Sequence, residues 1–274
     1  PPQAIFGHAV SVETARIRIG YLSGDFHQHA TARLMVELFE RHDRDRFEVF
    51  AYSYGPDDGS AMRARLQAAF DRFVDIHACS HREAAEHIHG DKVDILIDLT
   101  GYTHRARPAI SAYRPAPVQV SYLGYPATMG ADFIDYIMVD PVVVPASQQV
   151  FFSEKLVHLP GCYQVNDTQR EVAQAASRQS CGLPAEGLVF CSFNNSYKLS
   201  PAIFDIWMRL LRSIPGSVLW LLEANELVKG NLCLEAEKRG VEADRLVFAP
   251  VVRPAEHLGR HQHADLFLDT LPCN

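Results

Sequence analysis

The sequence predicts an α/β protein built on a mostly parallel sheet, and three features of the chain support this fold class. Short apolar segments typical of buried strands alternate with segments whose apolar residues recur every three to four positions, as in amphipathic helices. Residues 93–99 form a near-continuous apolar run, which is typical of a strand covered on both faces. Polar loops follow the strands, and in parallel sheets the crevice at the carboxyl ends of the strands is the usual ligand site.

The first half of the chain contains a regular series of strand and helix patterns. Predicted strands cover residues 17–22, 47–54, 73–76, 93–99, 118–123 and 136–139. A first helix follows Thr31, which is the expected N-cap, and others are predicted over 62–70 and 109–113. Between them, Ser80 and Glu83 form a capping box that starts a helix reaching about residue 89.

A second α/β series begins after a polar stretch, which we interpret as a linker between two lobes. Strands are predicted over 188–192, 218–222, 245–249 and 264–269. Helices are predicted after the Ser200 N-cap with Pro201, over 232–238, and from Pro254. The predicted organisation is an N-terminal extension (1–15), a first lobe (16–162), a linker (163–182) and a second lobe (183–274).

The last predicted strand lacks a following crossover helix. Because a parallel strand without its crossover leaves apolar surface uncovered, we expect the chain to be part of a longer polypeptide whose second lobe continues beyond residue 274.

Composition excludes several classes of protein. At 274 residues and 47% hydrophobic content the chain is long enough for two domains, and its net charge of −7 argues against nucleic acid as the main partner. No apolar run approaches the roughly 20 residues of a membrane span, and the start lacks signal-peptide features, so we expect a cytoplasmic location. The six cysteines include no Cys-x-x-Cys pair, which predicts reduced and mostly buried thiols.

The loop after the first strand is the first candidate active-site wall. It carries a carboxylate, Asp25, and two imidazoles, His27 and His29, immediately before a helix start. Asp25 either caps a turn or acts in catalysis, where it accepts a proton from a substrate hydroxyl or orients a histidine that does. Because Thr31 is expected to begin the helix, His29 is the better placed imidazole, and by alternation His27 is expected to point elsewhere.

Metal and dinucleotide sites are disfavoured. The His-x-His pairs (27/29, 87/89 and 261/263) have the wrong spacing to share a helix face, and no thiolate or carboxylate cluster accompanies them. The chain has neither a Gly-x-Gly-x-x-Gly after a strand nor a P-loop motif.

Two features of the second series point to an anionic or nucleotide ligand. Lys198 lies directly before a helix N-terminus, where it is either a solvated surface lysine or part of a small anion site able to neutralise a departing diphosphate without metal. His257 and Arg260 are three residues apart on one helix face, which either carries a surface salt bridge or holds the edge of a nucleobase.

Taken together, the motifs of the chain resemble the catalytic region of the O-GlcNAc transferase family in a bacterial form. The resemblance covers residues 16–274. The motifs that carry it are Ile-Gly-Tyr-Leu-Ser-Gly-Asp-Phe (19–26), Phe-Glu-Val-Phe-Ala-Tyr (47–52), Pro-Asp-Asp-Gly (56–59), Leu-Thr-Gly-Tyr-Thr (99–103), Arg-Pro-Ala-Pro-Val-Gln (114–119), Leu-Gly-Tyr-Pro-Ala-Thr (123–128), Phe-Asn-Asn-Ser-Tyr-Lys (193–198), Ser-Val-Leu-Trp-Leu-Leu (217–222) and Leu-Asp-Thr-Leu-Pro-Cys-Asn (268–274).

The resemblance implies a GT-B glycosyltransferase with two Rossmann-like lobes facing a cleft, which inverts the anomeric centre and transfers GlcNAc from UDP-GlcNAc to Ser or Thr of a protein. It implies no metal ion and no cofactor. By motif, Asp25 and His29 match the acid and histidine at the reacting centre, and Lys198 matches the lysine that stabilises the leaving diphosphate. The implied substrate-binding positions are Thr31, Leu123, Gly124, Asn195, Tyr197, Val252, His257, Arg260 and Cys273.

The chain also departs from the family pattern. Asn195 replaces the usual glutamine, and Pro254 stands where animal members carry a nucleotide-contacting lysine. The linker is too short for the domain that animal members insert between the lobes. The tetratricopeptide repeats expected upstream, and the phosphate- and ribose-binding motif expected after Asn274, are absent from these 274 residues, so we expect the chain alone to bind donor poorly.

Three alternatives remain open from the residues. They are a related transferase with another donor such as GDP-fucose or UDP-glucose, a non-catalytic UDP-binding module, and an epimerase that acts on the sugar nucleotide alone. The expected partners are a nucleotide sugar and a protein or peptide acceptor, with no nucleic acid and no membrane, and the sequence indicates no oligomeric state.

Overall fold

A computed structural model describes residues 6–8 and 16–271 of the chain. The chain divides into two compact units, residues 1–169 and 170–274. The division between the units falls within the polar stretch 163–182. No helix in the described ranges is long and apolar enough to cross a membrane.

The first unit is built on a seven-stranded sheet in which every neighbouring pair of strands is parallel. Its strands are β1 (Ile17–Ser23), β2 (Phe47–Ser53), β3 (Arg72–Asp75), β4 (Ile95–Asp98), β5 (Val118–Tyr122), β6 (Tyr136–Val139) and β7 (Lys155–His158). The strand order is β3-β2-β1-β4-β5-β6-β7, so the direction of the chain across the sheet reverses between β1 and β4. In open α/β sheets such a reversal opens a crevice at the carboxyl ends of the two strands, and ligands bind there.

Helices cover both faces of the first sheet. They are α1 (Ala30–Glu40), α2 (Ala61–Ala69), α3 (His81–Gly90) and α4 (Ala109–Ala112). Apolar residues of α1 and α2, such as Met35 and Leu66, pack with Ile19 and Tyr21 of β1 in one core. Ile88 of α3 and Leu22 of β1 pack in a second core. Because successive strand residues point to opposite faces, β1 contributes to both cores, as expected of a doubly wound sheet.

The second unit repeats this architecture with a four-stranded parallel sheet of order β10-β9-β8-β11. Its elements are β8 (Val189–Ser192), α5 (Pro201–Ser213), β9 (Val218–Leu222), α6 (Glu226–Glu237), β10 (Leu246–Ala249), α7 (Pro254–Arg260) and β11 (Leu266–Phe267). The amphipathic face predicted for α5 is confirmed, since Phe204, Trp207 and Leu211 are buried against β8 and β9. The Ser200 hydroxyl caps α5 by accepting a hydrogen bond from the backbone N–H of Ile203 at 3.3 Å.

The predicted parallel α/β class is confirmed, and several local predictions hold, including the capping box of α3. Four elements differ. The sequence pattern missed β7 and the 3-10 turn Ala146–Phe151 before it. Helix α6 begins at Glu226, whereas the prediction placed its start near Leu232. The start was misplaced because Ala236 is the one buried residue of the helix, so its apolar period is weak. Strand β11 has only two residues, whereas 264–269 was predicted.

The prediction of mostly buried thiols is wrong for the described cysteines. Cys191 is buried and Cys162 is exposed, whereas Cys79, Cys181 and Cys233 are partly exposed. All five are free thiols. Cys273 lies outside the described residues.

Candidate active site

A cavity of about 630 Å³ opens at the carboxyl ends of the strands of the first unit. It lies where the strand order reverses between β1 and β4, which is the position at which open α/β sheets bind ligands. Loops that follow five different strands contribute to it. The lining residues are Gly24, Asp25, His27, His29, Thr31, Tyr54, Gly55, Pro56, His77, Thr103, His104, Arg105, Arg107 and Gly124. Asp25, His29, Thr31 and Gly124, four residues that the sequence assigned to the site, therefore lie around one cavity.

Asp25 and His29 form a polar pair on the cavity wall. Oδ2 of Asp25 lies 3.5 Å from Nδ1 of His29, and the side chains are 19% and 44% exposed. The same carboxylate oxygen accepts a hydrogen bond from the Thr31 hydroxyl at 3.4 Å. The backbone N–H of Asp25 donates to the Ser23 hydroxyl at 2.9 Å, which ties the loop to the end of β1. The pair is thus held by its own loop and still open to a substrate.

His29, not Thr31, is the N-cap of α1, so that prediction is wrong. His29 has extended backbone geometry, and its Nδ1 accepts a hydrogen bond from the backbone N–H of Thr31 at 3.3 Å. The cap therefore requires an unprotonated Nδ1, whereas donation to Asp25 requires Nδ1 to carry a proton. When Nδ1 donates to Asp25 in the neutral ring, Nε2 is left unprotonated and able to accept a proton.

His27 does not point elsewhere, contrary to the prediction from alternation. The rings of His27 and His29 have centroids 5.6 Å apart, and both line the cavity. The error arises because residues 24–29 form a loop with bends, in which the two-residue period of a strand does not apply. Nδ1 of His27 lies 4.0 Å from Oδ2 of Asp58. The hydrogen bond from the Gln28 N–H is the main cause of an Asp58 pKa near 2.

The other walls of the cavity were missed from the sequence. Arg107 donates to the carbonyls of Ile76 and Cys79 at 3.2 and 2.6 Å, and its guanidinium lies 5.7 Å from the ring centroid of Tyr54. His77 hydrogen-bonds the Tyr54 carbonyl at 2.8 Å through Nδ1. The remaining lining residues of the loop after β4 are Thr103, His104 and Arg105. A run with a histidine and two arginines directly after a buried strand was the available signal for this wall.

A buried carboxylate supports the loop after β4. Asp98, the last residue of β4, is 5% exposed and accepts hydrogen bonds from the N–H groups of Thr100 and Gly101 at 2.9 and 3.2 Å. Burial raises the pKa of Asp98, although these two hydrogen bonds oppose the shift. The Thr100 hydroxyl in turn accepts from the Gly24 N–H at 3.4 Å. The loops after β1 and β4 are therefore joined beneath the cavity.

Leu123 and Gly124 directly follow β5, in a backbone arrangement that constrains both positions. Leu123 has a φ of 63°, which is uncommon for a non-glycine residue. A Cβ atom at Gly124 would lie 1.9 Å from the Leu99 carbonyl oxygen, so no other residue fits there without a backbone shift. Gly124 lines the cavity.

Gly124→Ala is expected to lower the stability of the first unit by about 2 kcal/mol or more, because the added methyl overlaps a backbone atom. Hydrogen exchange of β4 and β5 measures the effect. Gly90→Ala is the matched control, since a Cβ there meets nothing within 4 Å and alanine favours the helix. Both tryptophans, Trp207 and Trp220, belong to the second unit, so their fluorescence should not change. Equal protection in Gly124→Ala and wild type would contradict this prediction.

The loop after β8 in the second unit holds Lys198. Lys198 ends a 3-10 turn, Ser196–Lys198, directly before α5. It is partly exposed, and its ammonium makes no hydrogen bond or ion pair with the described residues. Asn195 is exposed, and Tyr197 is 81% exposed. These side chains are therefore accessible to a ligand of the second unit.

His257 and Arg260 share one face of α7, as predicted, and both contact Phe193. The ring centroids of His257 and Phe193 are 5.1 Å apart, and the Arg260 guanidinium lies 5.3 Å from the Phe193 centroid. Arg260 is 6% exposed and donates to the Pro250 carbonyl at 2.9 Å, whereas Glu256 pairs with Arg253. The alternative of a surface salt bridge is therefore wrong.

The cluster also includes His261, which the sequence indicated only as part of a disfavoured metal-binding pair. His261 hydrogen-bonds the His257 carbonyl at 2.7 Å, and its ring centroid lies 5.1 Å from that of Phe193. Val252, partly exposed, lies in the segment between β10 and α7. Burial, with smaller contributions from Arg260 and His261, lowers the pKa of His257 from its usual 6.5 to about 4.

The low pKa of His257 predicts an acid-sensitive second unit. Between pH 6.5 and about 4 the unfolded chain binds a proton at this position and the folded chain does not, so stability falls as pH falls through this window. Denaturant unfolding followed by tryptophan fluorescence reports on this unit. His257→Gln should lose less stability than wild type over that range. Identical pH dependence in the two proteins would contradict the prediction.

Comparison with known proteins identifies the family. The model of glycosyl transferase family 41 matches residues 2–175 and 168–274. The chain belongs to glycosyl transferase family 41. A probable UDP-N-acetylglucosamine–peptide N-acetylglucosaminyltransferase, SEC, of Arabidopsis thaliana is 40% identical over 265 residues, which cover 94% of this chain and 27% of the relative. The corresponding Caenorhabditis elegans enzyme is 30% identical over 94% of this chain and 32% of its own length.

Solved structures support the assignment to family 41. The K341M mutant of the O-GlcNAc transferase of Thermobaculum terrenum matches with a TM-score of 0.83 and 32% identity, over 94% of this chain and 49% of that one. Anabaena Alr3699/HepE, solved with UDP and glucose, is 12% identical with a TM-score of 0.56, which shows a shared fold. The predicted family and the Rossmann-like GT-B class are thus confirmed. The chain spans about a third of the length of its curated relatives and about half of the length of the bacterial structure.

Proposed function

We propose that this chain carries active-site residues of an inverting, metal-independent glycosyltransferase that moves GlcNAc from UDP-GlcNAc to Ser or Thr hydroxyls of proteins. The observation that carries the proposal is the Asp25–His29 pair on the wall of a cavity at the β1/β4 reversal. The names of the Arabidopsis and Caenorhabditis relatives support the donor and the peptide acceptor.

The first unit supplies the base. The acceptor hydroxyl oxygen forms a bond to the anomeric carbon while the bond from that carbon to the diphosphate oxygen breaks, and this single displacement inverts the carbon. The hydroxyl proton passes to Nε2 of His29, directly or through one water, when Nδ1 donates to Asp25. Asp25 orients the ring and stabilises the imidazolium, as a carboxylate does in other acid–histidine pairs.

The second unit supplies the positive charge that stabilises the leaving group. The bond electrons leave with UDP, whose terminal phosphate gains negative charge as the transfer proceeds. The Lys198 ammonium, which has no partner among the described residues, neutralises this charge in place of a metal ion. Asn195 and Tyr197 contact the donor from the same loop. The Phe193–His257–Arg260 cluster binds the nucleotide, and Thr31, Leu123 and Gly124 surround the sugar and the acceptor. Val252 and Cys273 are assigned to the donor by their places in the family motifs.

A transfer assay with the full-length protein that contains this chain tests the proposal. Incubation with UDP-GlcNAc and a serine peptide should yield glycosylated peptide and free UDP in equal amounts, with unchanged rates in excess EDTA. GDP-fucose and UDP-glucose test the alternative donors. Donor turnover without peptide would indicate an epimerase, and UDP binding without any turnover would indicate a binding module; either result contradicts the proposal.

A further inference from the structure

Arg105 has an unusual backbone conformation for its position on the cavity wall. Its φ is 61°, in the left-handed region that glycine adopts freely and that costs other residues roughly 1 kcal/mol or more. Among the described residues that line the cavity, it alone has a positive φ. Backbone strain of this kind clusters at functional sites, where it is part of the mechanism.

The Arg105 side chain has no structural role that accounts for this conformation. It is exposed, and it makes no hydrogen bond, ion pair or ring contact within the described ranges. Two nearby arginines differ in this respect. Arg107 is bound to the carbonyls of Ile76 and Cys79. Arg114, which also has a positive φ, donates to the Phe133 carbonyl and to Asp135. The charge of Arg105 is therefore available to a ligand in the cavity.

The composition of the wall favours an anionic ligand. The lining residues include two arginines and four histidines but a single carboxylate, Asp25. The Asp25 carboxylate is engaged with Thr31 and His29, and it is not placed in an ion pair with either arginine. An anionic group that enters the cavity beside Arg105 thus meets an unpaired guanidinium, which binds carboxylates with two parallel hydrogen bonds.

We propose that Arg105 selects the acceptor: its guanidinium pairs with a carboxylate side chain of the peptide, a few residues from the hydroxyl that receives the sugar. The inference rests on the proposed function, which assigns the Asp25–His29 end of this cavity to the acceptor hydroxyl. In the proposed function the diphosphate is paired with Lys198, and the anionic group proposed for Arg105 is therefore a carboxylate of the acceptor.

Two peptides that differ by one residue test the inference. Both peptides contain a single serine, and at one position near it the first has glutamate and the second has glutamine. The comparison is repeated with a new pair of peptides for each neighbouring position. We expect the wild-type protein to show a KM about fivefold lower for the glutamate form at its best position, in line with a partly exposed ion pair. Arg105→Gln should abolish this preference and leave kcat and the KM for UDP-GlcNAc unchanged. Salt at 0.5 M should weaken the wild-type preference, since screening acts on exposed charges.

Two further variants control for charge and folding. Arg46→Gln removes the same charge next to the amino end of β2, whereas the cavity lies at the carboxyl ends of the strands. This variant should keep the preference. Arg105→Gly adopts the observed backbone conformation without strain, so it should lose the preference while remaining at least as stable as wild type.

Three outcomes would overturn the inference: equal KM values of the wild-type protein for both peptides, a preference that survives in Arg105→Gln, or an increase in donor KM in Arg105→Gln that is the same with both peptides. Direct binding of the labelled peptides, measured by fluorescence anisotropy, separates this result from the proposed function. A glutamate preference that depends on Arg105 supports the inference even where no sugar is transferred, whereas transfer without any such preference overturns it and leaves the proposed function standing.

Discussion

His29→Asn is expected to lower kcat by about 10²- to 10⁴-fold while the fold is preserved. Asparagine is among the best N-cap residues, so it replaces the Nδ1 contact to the Thr31 N–H that starts α1. It has no basic nitrogen, so the acceptor hydroxyl loses its proton acceptor. Steady-state transfer from UDP-GlcNAc to a serine peptide measures the effect, and thermal unfolding checks that the fold is retained.

His27→Asn is the matched control for His29→Asn. His27 lies two residues away, lines the same cavity and has a ring of the same chemistry, but it is not paired with Asp25. We expect a change in kcat of less than about fivefold, because the substitution leaves the proposed base intact. Wild-type turnover by a folded His29→Asn protein would remove His29 from the reaction and leave Asp25 as the candidate base.

Lys198→Ala is expected to lower kcat by about 10²- to 10³-fold, with a smaller change in donor affinity. The charge on the diphosphate grows as the bond to the sugar breaks, so an ammonium beside it stabilises the transition state more than the bound donor. Lys198 ends a short 3-10 turn and contributes no hydrogen bond to the described part of the fold, so the second unit should remain folded. Rapid-mix single-turnover rates and donor calorimetry separate the two effects.

Lys229→Ala serves as the control for Lys198→Ala. Lys229 is a partly exposed lysine of the same unit whose ammonium lies 5.7 Å from the ring centroid of Phe248. Removing its charge should leave kcat within about twofold of wild type. If Lys198→Ala and Lys229→Ala were equally active, the leaving-group role of Lys198 would be wrong.

Part of the candidate site was predictable from local sequence. Asp25 and His29 were identified because they follow a buried strand and precede a helix, and the capping contact of His29 is made within two residues of the chain. His77, His104 and Arg107 were missed because each belongs to a different or more distant segment. Arg107, for example, reaches the Ile76 carbonyl across 31 positions, and no local pattern encodes that contact.

Local pattern also explains which elements of the fold were correctly predicted. Strand β6, Tyr136–Val139, and the start of α5 match the prediction because short apolar runs and Ser-Pro caps act over a few residues. Strand β7 was missed because its pairing with β6 supplies the hydrogen bonds that define it, and its residues alternate between exposed and partly buried. Helix α6 was placed too late because a helix with one buried residue leaves almost no apolar period.

The sequence by itself determined the alternating α/β class, the family motifs and the residue types of the proposed chemistry, since propensity, capping and motif spacing are local properties of the chain. Only the tertiary structure decided the strand order β3-β2-β1-β4-β5-β6-β7, and with it the convergence of five loops on one cavity. The physical reason is that strand order is set by long-range hydrogen bonding and burial, which bring together residues that no sequence window contains. The shared cavity of His27 and His29 follows from that convergence.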